Sequence, residues 1–222
     1  MKERREPRNV SRVVILCAAA YVAATLGVCR VATAASDGSV SGTVKLVGPA
    51  GARMEDVVVS IEGVRYAAND SKAPAPADLV LNQKDLTFVP HVLAVPSGAT
   101  VTFRNEDTVL HNVHSSSTIN PAFNFAMMKG TKKTVTFEHP EVVPIQCNVH
   151  SEMHATILVK DNPFFARPDR DGRFTIAGVP PGTYTVRAWH ERAGTAEQPV
   201  TIAGGGTATA NLALGADLAL GR

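Results

Sequence analysis

The chain has 222 residues, of which 45% are hydrophobic and 19% charged. That is apolar enough to bury one large or two small cores, and it excludes disorder for the main body. The formal net charge is only +2, and no basic stripe interleaved with aromatics is present, which excludes nucleic acid as a partner.

The first element is an export signal. A charged, mostly basic opening (MKERREPRNVSR) precedes a continuously apolar, small-residue run from Val13 to Val28, and Ala32-Thr33-Ala34 then supplies the small residues a signal peptidase reads. The run falls short of the ~20 residues a membrane-spanning helix needs. Residues 1–34 are therefore expected to be a cleaved signal peptide, with an uncleaved anchor as the alternative. The expected location is periplasmic, with no stable membrane insertion of the mature chain. Six of the 22 basic and two of the 20 acidic residues lie in this leader, so its removal turns +2 into −2. Cys17 and Cys29 leave with it. Cys147 is then the one thiol of the exported chain, in a compartment where thiols are usually paired. A buried, inert thiol is the plain explanation.

From Ser39 onward short β-type runs are separated by Gly, Pro, Asn and Asp, without helical periodicity. The runs SGTVKLV and DVVVSIEGV fall in residues 39–64, and a Pro/Ala-rich polar linker occupies 65–77. Residues 78–160 contain LTFVPHVLAV, ATVTFRN, KKTVTFE and MHATILVK. Residues 161–213 contain GRFTIAG and GTYTVRAW. Alternation such as Val101/Phe103 and Val135/Phe137 marks strands with one buried and one wet face. The predicted fold class is all-β, as antiparallel sandwiches. Each outer piece has too few strands to bury a sheet face alone. Residues 39–64 and 161–213 are therefore expected to pair as one discontinuous sandwich, with the 78–160 block inserted.

The chemistry concentrates in Cys147-Asn148-Val149-His150-Ser151-Glu152-Met153, a C-x-x-H-x-x-M loop between strand-like runs. A thiolate, an imidazole and a thioether on one turn suit copper, because sulfur ligands select Cu(I) and a His₂Cys set with a weak axial Met is the type 1 arrangement. The second imidazole must come from His91, His111, His114, His139, His154 or His190. His111 is favoured because it follows the strand ATVTFRN through a loop, at one end of a sandwich. His114, three residues on, falls in a strand and is expected to point elsewhere. Met127 and Met128 read as packing residues, and Glu152 as solvated surface. Zinc is a poorer match, since it rarely takes a thioether. Asp169 and Asp171-Gly172 form D-x-D-G, but position twelve of an EF-hand loop would be Pro180, so the segment reads as a turn.

These residues carry two resemblances. The runs VPSGATVTFRNEDTVLHNVHS and KGTKKTVTFEHPEVVPIQCNVHSEMHATILV resemble the cupredoxin family, in particular its plastocyanin- and amicyanin-like members. That resemblance implies a Greek-key β-sandwich holding one type 1 copper through His111, Cys147, His150 and Met153. It also implies that Asn112 ties the two ligand loops together, and that His150 serves as the electron port through an apolar patch including Val149. SGTVKLVGPAGARMEDVVVSIEG and DRDGRFTIAGVPPGTYTVRAWHE resemble the carboxypeptidase regulatory-like, transthyretin-like sandwich, usually a non-catalytic module. The combined layout is similar to proteins labelled methylamine utilisation proteins. The implied function is single-electron transfer between a redox donor and an acceptor, without enzymatic activity. A periplasmic copper carrier or chaperone, and a non-metal β-sandwich interaction module, remain the alternatives.

Overall fold

The computed structural model describes residues 36–65 and 79–215. The expected signal peptide and nearly all of the expected linker lie outside the described residues, as do Cys17 and Cys29. No described helix is long and apolar enough to cross a membrane.

Period-two alternation dominates, and it resolves into strands: β1 (Gly38–Leu46), β2 (Val58–Glu62), β3 (Val80–Lys84), β4 (Thr87–Val89), β5 (Val92–Pro96), β6 (Ala99–Asn105), β7 (His111–Ser115), β8 (Phe123–Met127), β9 (Lys132–Phe137), β10 (Glu141–Gln146), β11 (His154–Lys160), β12 (Phe165–Ala166), β13 (Arg173–Val179), β14 (Gly182–His190), β15 (Gly194–Ile202) and β16 (Thr207–Leu214). A single 3₁₀ turn, Met54–Asp56, is the described helical element. The fold is all-β.

Four sheets form. Orders β5-β11-β10-β7-β8 and β4-β3-β6-β9 face each other, and so do β13-β1-β16 and β12-β2-β14-β15. Most neighbours run antiparallel, but β5/β11, β3/β6 and β1/β16 are parallel. The first pair of sheets encloses Leu81, Val101, Phe103, Val113, Phe137, Ile145 and Ile157, all buried. The second encloses Val40, Val59, Ile61, Val186 and Leu214. A third cluster joins the two outward faces. Val58 on β2, Val92 and Ala94 on β5 and Leu158 on β11 pack with Phe165 and Trp189. Next to these residues in sequence, Val59, Leu93, Val95, Ile157 and Val159 point into a main core instead, so β2, β5 and β11 are buried on both sides, with a buried Ser60 interrupting the apolar run of β2 and a buried Thr156 that of β11. Trp189 packs against this third cluster.

One predicted run is two strands. LTFVPHVLAV divides into β4 and β5, which belong to different sheets. Pro90, which lacks a backbone N–H, lies between them, and a ladder cannot continue through it in mid-sheet. The D-x-D-G segment is a turn. The Asp169 carboxylate accepts from the Asp171 and Arg173 amides at 2.9 and 2.8 Å, and Gly172 takes φ +79° with its missing Cβ directed at the Val44 carbonyl.

Candidate metal centre

β6 ends at Asn105, a buried residue whose amide nitrogen donates to the Val109 and Met127 carbonyls at 2.9 and 2.7 Å. Its carbonyl oxygen accepts from the Asp107 amide at 2.9 Å. This pins the loop 106–110 so that the chain crosses to the facing sheet at His111, the first residue of β7. Odd positions of β7 face inward: His111, Val113 and Ser115 are buried while Asn112 and His114 are half-buried. His114 therefore lies on the other face from His111, as expected.

Cys147 follows β10 and Met153 precedes β11, so the loop between them closes a hairpin. Its closing bonds run from Cys147 N–H to the Met153 carbonyl at 3.1 Å, and from Met153 N–H to the His150 carbonyl at 3.0 Å. The loop turns its donors onto His111. Ligand-type atoms of His111, Cys147 and His150 all lie within 4.8 Å of one another. The two imidazole Nδ1 atoms are 3.1 Å apart, and Cys147 Sγ is 3.9 Å from His150 Nδ1. His111 is fully buried, Cys147 nearly so, and His150 partly exposed. The Met153 side chain is 1% exposed and packs in the same core as Cys147.

Two further partners fix this arrangement. His111 Nε2 lies 2.6 Å from Asp107 Oδ2, which sets the ring's orientation and leaves Nδ1 facing the loop. The Asp107 carboxylate also accepts from the Asp85 and Leu86 amides at 2.7 and 3.1 Å. These two residues, both at positive φ, form the β3–β4 turn. Burial pushes the Asp107 carboxyl up, but the bonds from His111, Leu86 and Asp85 outweigh it and hold the group below its ordinary value. Asn112 supplies the second set of contacts. Its backbone N–H donates to Cys147 Sγ at 3.4 Å, and its side-chain oxygen accepts from the Asn148 amide at 3.3 Å. Asn112 thus ties the two loops together.

Sequence reasoning singled out neither Asp107 nor Asn105. The available signal was an Asp four residues before the histidine in a polar loop, which is common in loops without any such role. Met127 is buried as expected, but Met128 is 68% exposed and packs against no core. Glu152 is exposed.

A nearly buried thiol beside two imidazoles, with a thioether following in the same loop, fits copper better than a hard cation, which would want oxygen donors. Residues 76–160 match the family of copper binding proteins, plastocyanin/azurin family. Residues 153–215 match the carboxypeptidase regulatory-like domain. No curated protein matches this sequence. Among solved structures, a purple cupredoxin from Nitrosopumilus maritimus is 24% identical, with 37% of this chain and 100% of that one covered, at a TM-score of 0.34. A Cu(I) amicyanin variant is 23% identical, covering 46% and 98%, at 0.35. A Cu-containing nitrite reductase from Thermus scotoductus SA-01 is 26% identical, covering 43% of this chain and 25% of that one, at 0.35.

Proposed function

We propose that this protein is an exported type 1 copper protein that carries single electrons, with one copper held by His111, Cys147, His150 and Met153. The observation that supports this most is the convergence of two imidazoles and a nearly buried thiol within 4.8 Å, in a segment matching a copper-binding family. Bound copper would supply a one-electron couple at this set of donors.

The chain's own residues do the rest. Asp107 holds the His111 ring in one tautomer and orientation, so little must rearrange as charge at the site changes. The Asn112 amide donates toward the sulfur and lowers the electron density there, a lever on reduction potential. Two packed sheets hold both loops rigidly. His150 is the partly exposed member of the set, and Val149, Val109 and Leu110 beside the two histidines are 55%, 44% and 50% exposed. Such an apolar rim suits brief docking of a redox donor and acceptor. Residues 39–64 and 161–213 form, in this reading, one discontinuous carboxypeptidase regulatory-like sandwich carrying the copper block. Hydrogen bonding of β1 to both β13 and β16 supports it. Export to the periplasm rests on the leader sequence.

The test is an optical and EPR spectrum of the copper-loaded chain. An intense visible thiolate-to-Cu(II) band is expected, lost in Cys147→Ser and in His111→Ala, and altered in Met153→Ala. A colourless wild type with a full equivalent of copper would overturn the reading.

A further inference from the structure

One side of the rim around the candidate metal centre carries unpaired positive charge. Residues 108–137 contain Lys129, Lys132 and Lys133 but no aspartate or glutamate, in a chain that has 20 acidic residues. All three lysines are exposed. None forms an ion pair with a described residue, whereas Lys160, Arg173 and Arg187 each hold a carboxylate. Lys132 also stands directly opposite Arg104 in the β6–β9 ladder. Like charges opposed across a ladder destabilise it, so this concentration of positive charge does not serve the stability of the sheet.

Backbone bonds fix the lysines to the rim. His111 pairs with Met127 across β7 and β8, so Met128 begins the turn that leaves the site. Thr131 N–H closes that turn on the Met128 carbonyl at 3.0 Å, and Gly130 N–H holds it to the end of β6 through the Asn105 carbonyl at 2.8 Å. The Asn105 side chain in turn binds the carbonyls of both Val109 and Met127. Met128, 68% exposed, and Lys129 therefore lie beside Val109 and Leu110, and Lys132 and Lys133 open β9 directly after. Lys133 Nζ lies 4.8 Å from the centre of the Phe125 ring, which holds that side chain along β8. The nearby acids are directed elsewhere. Asp107 is turned onto His111, and Glu106 donates its N–H to Gln83 of β3, on the opposite edge of β6 from β9.

We propose that the β8–β9 turn and the start of β9 form a docking surface for an acidic redox protein. Its carboxylates meet Lys129, Lys132 and Lys133, while an apolar contact covers Met128, Val109, Leu110 and Val149. This names the partner class of the electron-carrying reading and rests on that reading. Unpaired lysines beside an apolar rim steer an acidic partner to the site, and salt screens the attraction so that the contact stays brief.

The test is binding of the full chain, both Cu(I)-loaded and metal-free, to reduced cytochrome c in two forms. The native form is basic, and the succinylated form carries carboxylates in place of its lysine charges. Amide ¹H–¹⁵N shifts are followed at low and high ionic strength. Expected is a response at residues 109–110, 128–133 and 149–150 to the succinylated form alone, with affinity falling at least about tenfold at high salt. Lys129→Glu combined with Lys132→Glu should weaken that binding by at least about tenfold at low salt. Lys129→Gln with Lys132→Gln, at the same exposed positions, keeps the test valid if charge reversal disturbs folding. Because the metal-free chain is read as well, failure to load copper would count against the electron-carrying reading and leave the docking result legible. An equal response to both forms, no response to the succinylated one, or binding unchanged in the lysine variants would overturn the proposal. So would binding to phosphatidylglycerol vesicles in place of the succinylated protein, which would put a lipid surface there instead.

Discussion

Asp107 is a single side chain serving two purposes. It accepts from both amides of the β3–β4 turn and orients His111. Removing it with Asp107→Ala leaves a fully buried imidazole free to rotate, so copper affinity should fall roughly 10- to 100-fold. Competition with a copper chelator measures this, and an unchanged affinity would show that packing alone orients the ring. The convergence of His111, Cys147 and His150 was legible because their donor types are rare together and two of them share one loop. Asp107 and Asn105 were not, since a polar loop of ordinary composition gives no sign of which carboxylate or amide turns inward. The same limit hid the placement of Met128. Two adjacent methionines look alike in sequence, yet the strand end buries one and leaves the next 68% exposed.

Among elements, strands with clean alternation were read near their observed bounds, as with ATVTFRN, which is β6. The division of LTFVPHVLAV was less visible, because the apolar content is continuous and only Pro90 marks the change of sheet. Strands such as β15 and β16 mix small and polar residues, and their strand character comes from ladder partners elsewhere in the chain. The turn before β13 shows the reverse, a local motif with a local cause. Gly172 has positive φ and meets the Val44 carbonyl where a Cβ would go. Gly172→Ala should destabilise the fold by about 1–3 kcal/mol. Thermal unfolding reads this, and a shift within error would mean that β1 can move away at no cost.

At the scale of the molecule, two carboxylates hold segments distant in sequence. Glu62 on β2 binds Lys160 at the end of β11 at 2.6 Å. Glu141 on β10 accepts from Ser117 Oγ and Asn120 Nδ2 at 2.5 and 2.8 Å, fastening the β7–β8 loop. Burial pushes both carboxyls up, but the hydrogen bonds, and for Glu62 the charges of Lys160 and Arg187, outweigh it and bring both below the ordinary 4.5. Depressed carboxyls contribute stability that is complete above the unfolded value and lost as pH falls through the folded one. Stability of the metal-free chain should therefore hold from neutrality to about pH 4.5 and decline below it, and Glu62→Gln and Glu141→Gln should each flatten that decline in acid unfolding curves. Equal acid slopes in wild type and variants would remove these groups from the account. The sequence by itself determined the β class and the donor atoms, because alternation and ligand chemistry are properties of neighbouring residues. Only the tertiary structure decided which carboxylate orients His111, which faces form the seam, and that His91 of one sandwich pairs with Glu191 of the other there. Those juxtapositions depend on how sheets from distant segments pack, and no local pattern encodes that.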